Sequence, residues 1–356
     1  MTSTDEMAAA LELQEGFCEA LGSPFTARVL RMLRVDVAAN GEVADLVASF
    51  KEELKAAALA LRVAGAFHAR ALDDPEGALG EHYPSCGGDG GRGLSDEAFR
   101  TLLIDDLRAN RAHYDGYLES PPQTNEVGRS AVMVGGYLTI AVETGLPLDV
   151  CEIGASAGLN LGFDQFFYQL GASRFGDPSS AVHLTPEWRG EAPPVSAPLV
   201  VRQRRGCDIA PLDIALPETQ QRLKSYVWPD QLDRMARLKG AVSVAQSLGT
   251  KIVRESAERF VAGVLQDRKP GAVLVIAHTI MWHYMPTAMQ EEIEKAIVRA
   301  GSSASSDAPV AWLRLEPDTP VERPMLRLTL WAGAADDGRD RALAEAHPHG
   351  ASVKWL

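Results

Sequence analysis

The sequence predicts a protein of the α/β class in two parts: an all-helical N-terminal region over residues 1–124 and a mostly parallel sheet over residues 125–356. Two observations carry that prediction. Up to residue 147, apolar side chains recur at three- and four-residue spacing, the period of a helix face. Beyond Pro147, short apolar runs alternate with helical segments, the pattern of parallel strands joined by crossover helices.

Taken in order, Met7 to Leu21 and Phe25 to Val37 are helical, parted by Gly22-Ser23-Pro24, a stop followed by a start. Val43 to Leu72 is a long helical pattern ended by Asp73-Asp74-Pro75. The tract Pro84 to Gly93 holds too much glycine for regular structure and reads as a mobile loop. Asp96 to Leu118 is helical again and is closed by Ser120-Pro121-Pro122. Glu126 to Glu143 follows, with Thr124 or Asn125 as its cap. Leu148 to Ile153 is then a buried strand, followed by glycines and a helix. Further strands are expected at Leu199 to Arg202, Ile252-Val253, Val273 to Ala277, Val310 to Leu315, Leu326 to Trp331 and Val353 to Leu356. Helices are expected at Glu218 to Leu248, Ala257 to Gln266 and Ala288 to Arg299, with Val227-Trp228-Pro229-Asp230 as an interrupting turn. Residues 165–200, rich in proline and aromatics without a period, read as an insertion.

Composition narrows the function. The 356 residues carry 35 Lys plus Arg against 48 Asp plus Glu, a net charge of −13, which lacks the cationic footprint that nucleic acid or an anionic membrane requires. The cysteines, Cys18, Cys86, Cys151 and Cys207, form no C-x-x-C pair, so neither a disulfide framework nor a zinc site is expected. The N-terminus is acidic and does not read as a signal peptide. The longest apolar run, Ala272 to Met281, is broken by His278 and is far shorter than the ~18 residues of a membrane span. We therefore expect a soluble cytoplasmic protein acting on a small molecule, with neither nucleic acid nor membrane as partner.

The segment richest in chemistry is Asp149 to Leu161, where a strand ends in Glu152-Ile-Gly154-Ala-Ser156-Ala-Gly158. A dinucleotide fingerprint G-x-G-x-x-G fails here, because its second and third glycine positions hold Ser156 and Leu159. A nucleophile elbow G-x-S-x-G is matched, with Asp336 or Asp337 and His347 or His349 in the chain order of a hydrolase triad. Such an elbow normally follows several strands, whereas everything before residue 147 reads as helical. A third ligand, S-adenosylmethionine, carries no phosphate. It wants an acid on the strand, small residues in the turn, and a second acid after the next strand for the ribose hydroxyls. Glu152, Gly154, Ser156 and Gly158 supply the first part.

The second part lies in Gly206-Cys-Asp208-Ile-Ala-Pro211, which resembles the G-x-D-x-x-P of class I methyltransferases. Lys251 to Ala257, Val273 to Pro286 and Trp312 to Pro317 resemble the third, fourth and fifth strands of that family, and two strands then end the chain. Over residues 148–356 the resemblance implies a Rossmann-like sheet of the class I methyltransferase type. Within it Glu255 or Ser256 would meet the adenine edge, and His278 would take a proton from the acceptor. One spacing departs: Gly154 to Asp208 spans 54 positions, where about 20 is usual. Nearly end to end, the chain also resembles an uncharacterised bacterial family, domain of unknown function 2332, through Thr124 to Arg129, Glu152 to Asn160, Arg205 to Asp213, Val227 to Gln231 and Trp312 to Glu316.

Asn125 and Arg129 open the helix leading into the glycine strand, and Arg129 could clamp a carboxylate of the ligand. His278 stands at the end of a central strand, where ligands of such sheets bind. His278 and His283, five apart, match no zinc signature, so no metal is expected. Trp282, His283 and Tyr284 are expected to line a substrate pocket. The expected function is methyl transfer from S-adenosylmethionine to a small molecule. The alternatives are a serine hydrolase using Ser156 and a non-catalytic ligand-binding protein.

Overall fold

A computed structural model describes residues 4–48, 58–119, 122–319, 322–334 and 337–356. They divide into two units, one within residues 1–124 plus 216–235, the other within 125–215 plus 236–356. The first unit is helical. Its helices run Thr4–Ala20, Pro24–Ala38, Glu42–Ala48, Leu59–Asp73, Asp96–Ala109, Arg111–Leu118 and Pro217–Ser225. Their apolar stripes meet in a core around Leu30, Leu33, Phe67, Phe99, Leu103 and Tyr114. Residues 49–57 of the long expected helix, and Ser120-Pro121, lie outside the described residues.

Local chemistry sets the breaks. The expected helix Asp96 to Leu118 divides at Asn110, whose side chain turns back onto Asp106. The expected helix Glu218 to Leu248 divides into Pro217–Ser225 and Leu232–Leu248 around Pro229, which has no N–H for a helix bond. The glycine tract is pinned rather than loose: Asp89 accepts the Gly91 N–H at 2.7 Å, and Arg28 donates to the Gly91 and Leu94 carbonyls at 2.8 Å each.

The second unit is built on a sheet whose strands are β1 (Leu148–Ile153), β5 (Glu187–Arg189), β6 (Val201–Asp208), β7 (Ile252–Arg254), β8 (Val273–Thr279), β9 (Val310–Glu316), β10 (Met325–Trp331), β11 (Asp340–Ala346) and β12 (Ser352–Trp355). A separate small sheet holds β2 (Phe167–Leu170), β3 (Ser173–Phe175) and β4 (His183–Leu184). The main order is β7-β6-β1-β8-β9-β10-β11-β12-β5. From β7 to β9 the strands are parallel, and β10 to β12 follow as an antiparallel meander. All six residues of β1 are buried, as a strand covered on both faces requires. The chain adds β6 and β7 on one side of β1, then β8 and β9 on the other, so the strand order reverses at β1. In open α/β sheets, ligands bind outside the carboxyl ends of the strands at such a reversal.

Four expectations are corrected. Three strands, not two, follow β9, because β11 was not expected. Strand β6 extends six residues beyond Arg202, to Asp208. Residues 165–200 hold four short strands, and β5 pairs with β12 at the far edge of the main sheet. The chain thus crosses from β1 to that edge and returns to place β6 beside β1, which accounts for the long spacing from Gly154 to Asp208. Finally, the glycine turn leads into a 3₁₀ helix, Leu159–Gln165, and not an α-helix. Side chains claim two of its backbone groups: Asn125 accepts the Leu159 N–H, and Arg204 donates to the Leu161 carbonyl. No helix among the described residues is long and apolar enough to cross a membrane.

Candidate functional site

The site forms where β1, β6, β8 and β9 end. Glu152 is the penultimate residue of β1 and lies between Gly206 of β6 and Ala277 of β8 in register. Beyond it the chain turns sharply: Gly154 has φ +66°, Ser156 φ +53° and Gly158 φ +73°. Both glycines are needed for their left-handed conformation, and a Cβ would crowd the side chain of Met281 at Gly154 (3.0 Å) and of Ile252 at Gly158 (2.6 Å). Ser156 has no such licence. A non-glycine residue in the left-handed region costs about 1–2 kcal/mol, and here Asp208 secures it. The Asp208 carboxylate accepts the Ser156 N–H at 2.9 Å through Oδ2 and the Ala210 N–H at 2.9 Å through Oδ1.

The next parallel strand repeats the strain. After β8, Ile280 has φ +47°, an outlier for a β-branched side chain. Strained backbone of this kind clusters where ligands bind. Two such residues at the ends of adjacent central strands mark the same place as the topology.

Electrostatics single out Glu152. It is 6% exposed, and its Oε2 has no hydrogen-bond partner among the described residues. Burial pushes its carboxyl up to about 8; the Arg129 guanidinium opposes that rise and Asp208 adds to it. Arg129 itself ties two elements together, donating to the Pro348 and Thr279 carbonyls at 3.1 Å each. Asn125 is committed to the turn through Leu159. Glu126 accepts the Gly128 N–H in the 3₁₀ turn that opens the helix Ser130–Thr144, the capping role expected of Thr124 or Asn125.

His278 is wholly buried, and its ring is fully used. Trp312 Nε1–H can only donate, so it fixes His278 Nε2, 3.0 Å away, as an acceptor. Nδ1–H then donates to Glu316 Oε1 at 2.8 Å. No lone pair is left to take an acceptor's proton, so the expected general-base role does not fit this geometry. Trp282 stacks on His278 with centroids 4.7 Å apart, whereas His283 and Tyr284 face outward, Tyr284 being 73% exposed. Sequence reasoning missed Glu316 as a site residue. It ends β9 as Glu152 nearly ends β1, and a carboxylate closing an apolar strand was the available signal.

The sequence profile of a family described as "Uncharacterized protein conserved in bacteria", DUF2332, matches residues 8–355. The chain belongs to the DUF2332 family. No curated protein matches it. In this DUF2332 protein the motif carrying the family resemblance at Glu152 to Asn160 is the glycine turn itself. The segment Arg205 to Asp213 carries Asp208, and Trp312 to Glu316 carries the His278 partners. Glu255 is exposed and Ser256 half-buried, directly after β7, at the side of the turn where Asp208 lies. Among the described residues, no hydrogen-bonded nucleophile and base pair forms at Ser156. Its Oγ is buried without a partner among the described residues, β1 is the first strand of the sheet, and Asp337 is spent on the Ala332 and Gly333 N–H groups. Asp336 lies outside the described residues.

Proposed function

We propose that this strand-end site binds S-adenosylmethionine and that the protein transfers its methyl group to a small molecule, on a Rossmann-like sheet of the methyltransferase type. The observation that carries the reading is Glu152, a buried carboxyl with a bare oxygen at the point where the strand order reverses. A buried carboxylate is stable only with a cation or donors beside it, and the ligand's ammonium is such a partner. Glu152 would hold that ammonium and Gly154 would admit the ligand's backbone-side atoms. Asp208 would use its remaining lone pairs on the ribose hydroxyls, with Glu255 and Ser256 towards the adenine. When bound, S-adenosylmethionine supplies a methyl already activated on sulfur. The residues of this chain then have to align an acceptor and exclude water; the Met281 side chain over Gly154 and the Trp282 ring over His278 would contribute to the second.

Calorimetry with S-adenosylmethionine and S-adenosylhomocysteine tests the reading. Both should bind, and Asp208→Asn should weaken both about ten- to hundredfold, the value of a charge-assisted hydrogen bond. Absence of heat and of any tryptophan fluorescence change at millimolar ligand would overturn it.

A further inference from the structure

Glu152 is not the only carboxyl at the strand ends with a bare oxygen. Glu316, the last residue of β9, has a side chain 13% exposed and an Oε2 that is buried without a partner among the described residues. Its Oε1 accepts two N–H groups, His278 Nδ1–H at 2.8 Å and the Met281 backbone at 3.1 Å. Those contacts hold the carboxyl group in place and bring it no positive charge. The Trp312 N–H occupies His278 Nε2, so the ring is the neutral tautomer and brings no charge.

Position separates Glu316 from the proposed cofactor residues. Glu152 and Asp208 end β1 and β6, whereas Glu316 lies on the other side of β8. At the usual strand spacing, β1 and β9 are about 10 Å apart, the scale of two ligands side by side. Met281 connects them: its N–H meets Glu316, and its side chain covers Gly154. We infer that Glu316 recognises a small primary ammonium, the second ligand of this site. Calling that ammonium the methyl acceptor rests on the proposed S-adenosylmethionine reading; the recognition itself does not. A neutral hydroxyl would fill the bare lone pairs alone, whereas an ammonium also brings the positive charge that neither existing contact supplies.

The test uses ¹⁵N-labelled full-length protein and the Trp312 indole N–H resonance, two hydrogen bonds from Glu316. Butylamine, benzylamine and tryptamine are titrated singly, with benzyl alcohol as the neutral match, without and with saturating S-adenosylhomocysteine. At least one amine should shift the resonance saturably, and benzyl alcohol should not. Glu316→Gln preserves the Oε1 acceptor for His278 and Met281 and replaces Oε2 with a donor. It should weaken amine binding at least tenfold and leave S-adenosylhomocysteine affinity unchanged. No saturable shift with any amine, equal binding of the alcohol, or unchanged amine affinity in Glu316→Gln would overturn the inference. So would a loss of S-adenosylhomocysteine affinity in Glu316→Gln matching that of Glu152→Gln. The alcohol comparison is made on the native protein and stands even if the variant misfolds. If amines bind but S-adenosylhomocysteine does not, the methyltransferase reading fails and Glu316 recognition survives.

Discussion

His68 in the helical unit and His278 in the sheet unit are buried alike, at 1% and 0% exposure, and each has both ring nitrogens hydrogen-bonded. What lies beyond the ring differs. His68 donates through Nδ1 to the Ser225 carbonyl at 3.0 Å and accepts from the Ser85 hydroxyl at 2.7 Å, so its network ends on neutral groups. The His278 network runs from Trp312 to Glu316 and ends on a carboxyl oxygen with nothing opposite it. The helical unit has a bare group of its own, the Tyr83 hydroxyl, but an unmet neutral hydroxyl costs about 1–3 kcal/mol and a charged group more. A buried histidine is therefore no sign of function. The sign is a bare carboxyl oxygen at the carboxyl ends of the central strands, since Asp164 and Glu258 carry bare oxygens elsewhere.

The two regions should respond to pH with opposite signs, and the largest test of the contrast is Glu152→Gln. Burial raises the folded Glu152 carboxyl from 4.5 to about 8. Between those values the folded state keeps a proton that the unfolded chain releases, so stability falls as pH rises through the window. The accumulated cost at pH 8 and above is roughly 3–5 kcal/mol. Glutamine cannot ionise. Urea unfolding should find Glu152→Gln more stable than the native chain by up to that amount at pH 8.5 and little changed at pH 4. S-adenosylmethionine affinity should fall in the same variant, a stability gain at a functional site matched by lost binding. Equal stability at pH 8.5 would mean that Glu152 is already compensated, and the contrast would collapse.

The helical unit supplies the next largest effect. Burial lowers the folded His68 imidazole from 6.5 to about 4. Between those values the unfolded chain binds a proton that the folded state refuses, so here stability rises with pH and is lost as the pH falls. The full effect is about 3 kcal/mol. The two windows overlap between pH 4.5 and 6.5, where the opposite slopes of His68 and Glu152 largely cancel in the native chain. His68→Gln should leave the Glu152 slope uncompensated there, so that urea-measured stability falls as the pH rises from 4.5 to 6.5, with the slope between pH 7 and 8.5 unchanged. A variant whose stability stayed level between pH 4.5 and 6.5 would assign the compensating slope to another group.

The same contrast explains what the sequence could disclose. Strands β1, β8, β9 and β10 are apolar runs and are readable. Strand β11, Asp-Arg-Ala-Leu-Ala-Glu-Ala, is not, because its alanines and charges favour a helix and only pairing with β10 and β12 makes it a strand. The last six residues of β6, Gln203 to Asp208, carry no apolar run; Arg204 among them reaches out to Asp164 and the Leu161 carbonyl. At the turn, Glu152 and the glycines were readable from the strand that they end, and Asp208 only from its own G-x-D-x-x-P segment, since its 54-position distance from Gly154 gave no hint that it meets the Ser156 N–H. That His278 had no free lone pair was not readable, because the group occupying it, Trp312, lies 34 residues on in the neighbouring strand. Glu316 gained meaning only through its unfilled oxygen.

The smallest effect sharpens the comparison inside the sheet unit, between a group left bare for a ligand and one left bare by strain. Ser156 has a buried hydroxyl without a partner among the described residues, as Glu152 and Glu316 have bare oxygens, yet it is neutral and sits at φ +53°. Ser156→Gly removes the unmet hydroxyl and the left-handed penalty, worth about 1–2 kcal/mol. The added chain entropy of glycine takes back about 0.5–1 kcal/mol. The backbone N–H that Asp208 accepts is unchanged by the substitution. We expect a net gain of about 1 kcal/mol in urea unfolding and S-adenosylmethionine affinity within a few-fold of native, because a neutral hydroxyl offers the ligand little. The native protein should also resist a fluorophosphonate probe, since no base among the described residues is hydrogen-bonded to the hydroxyl. Stoichiometric labelling that disappears in Ser156→Gly would reverse the assignment, making the strained turn a nucleophile elbow and Ser156 the functional group of the site.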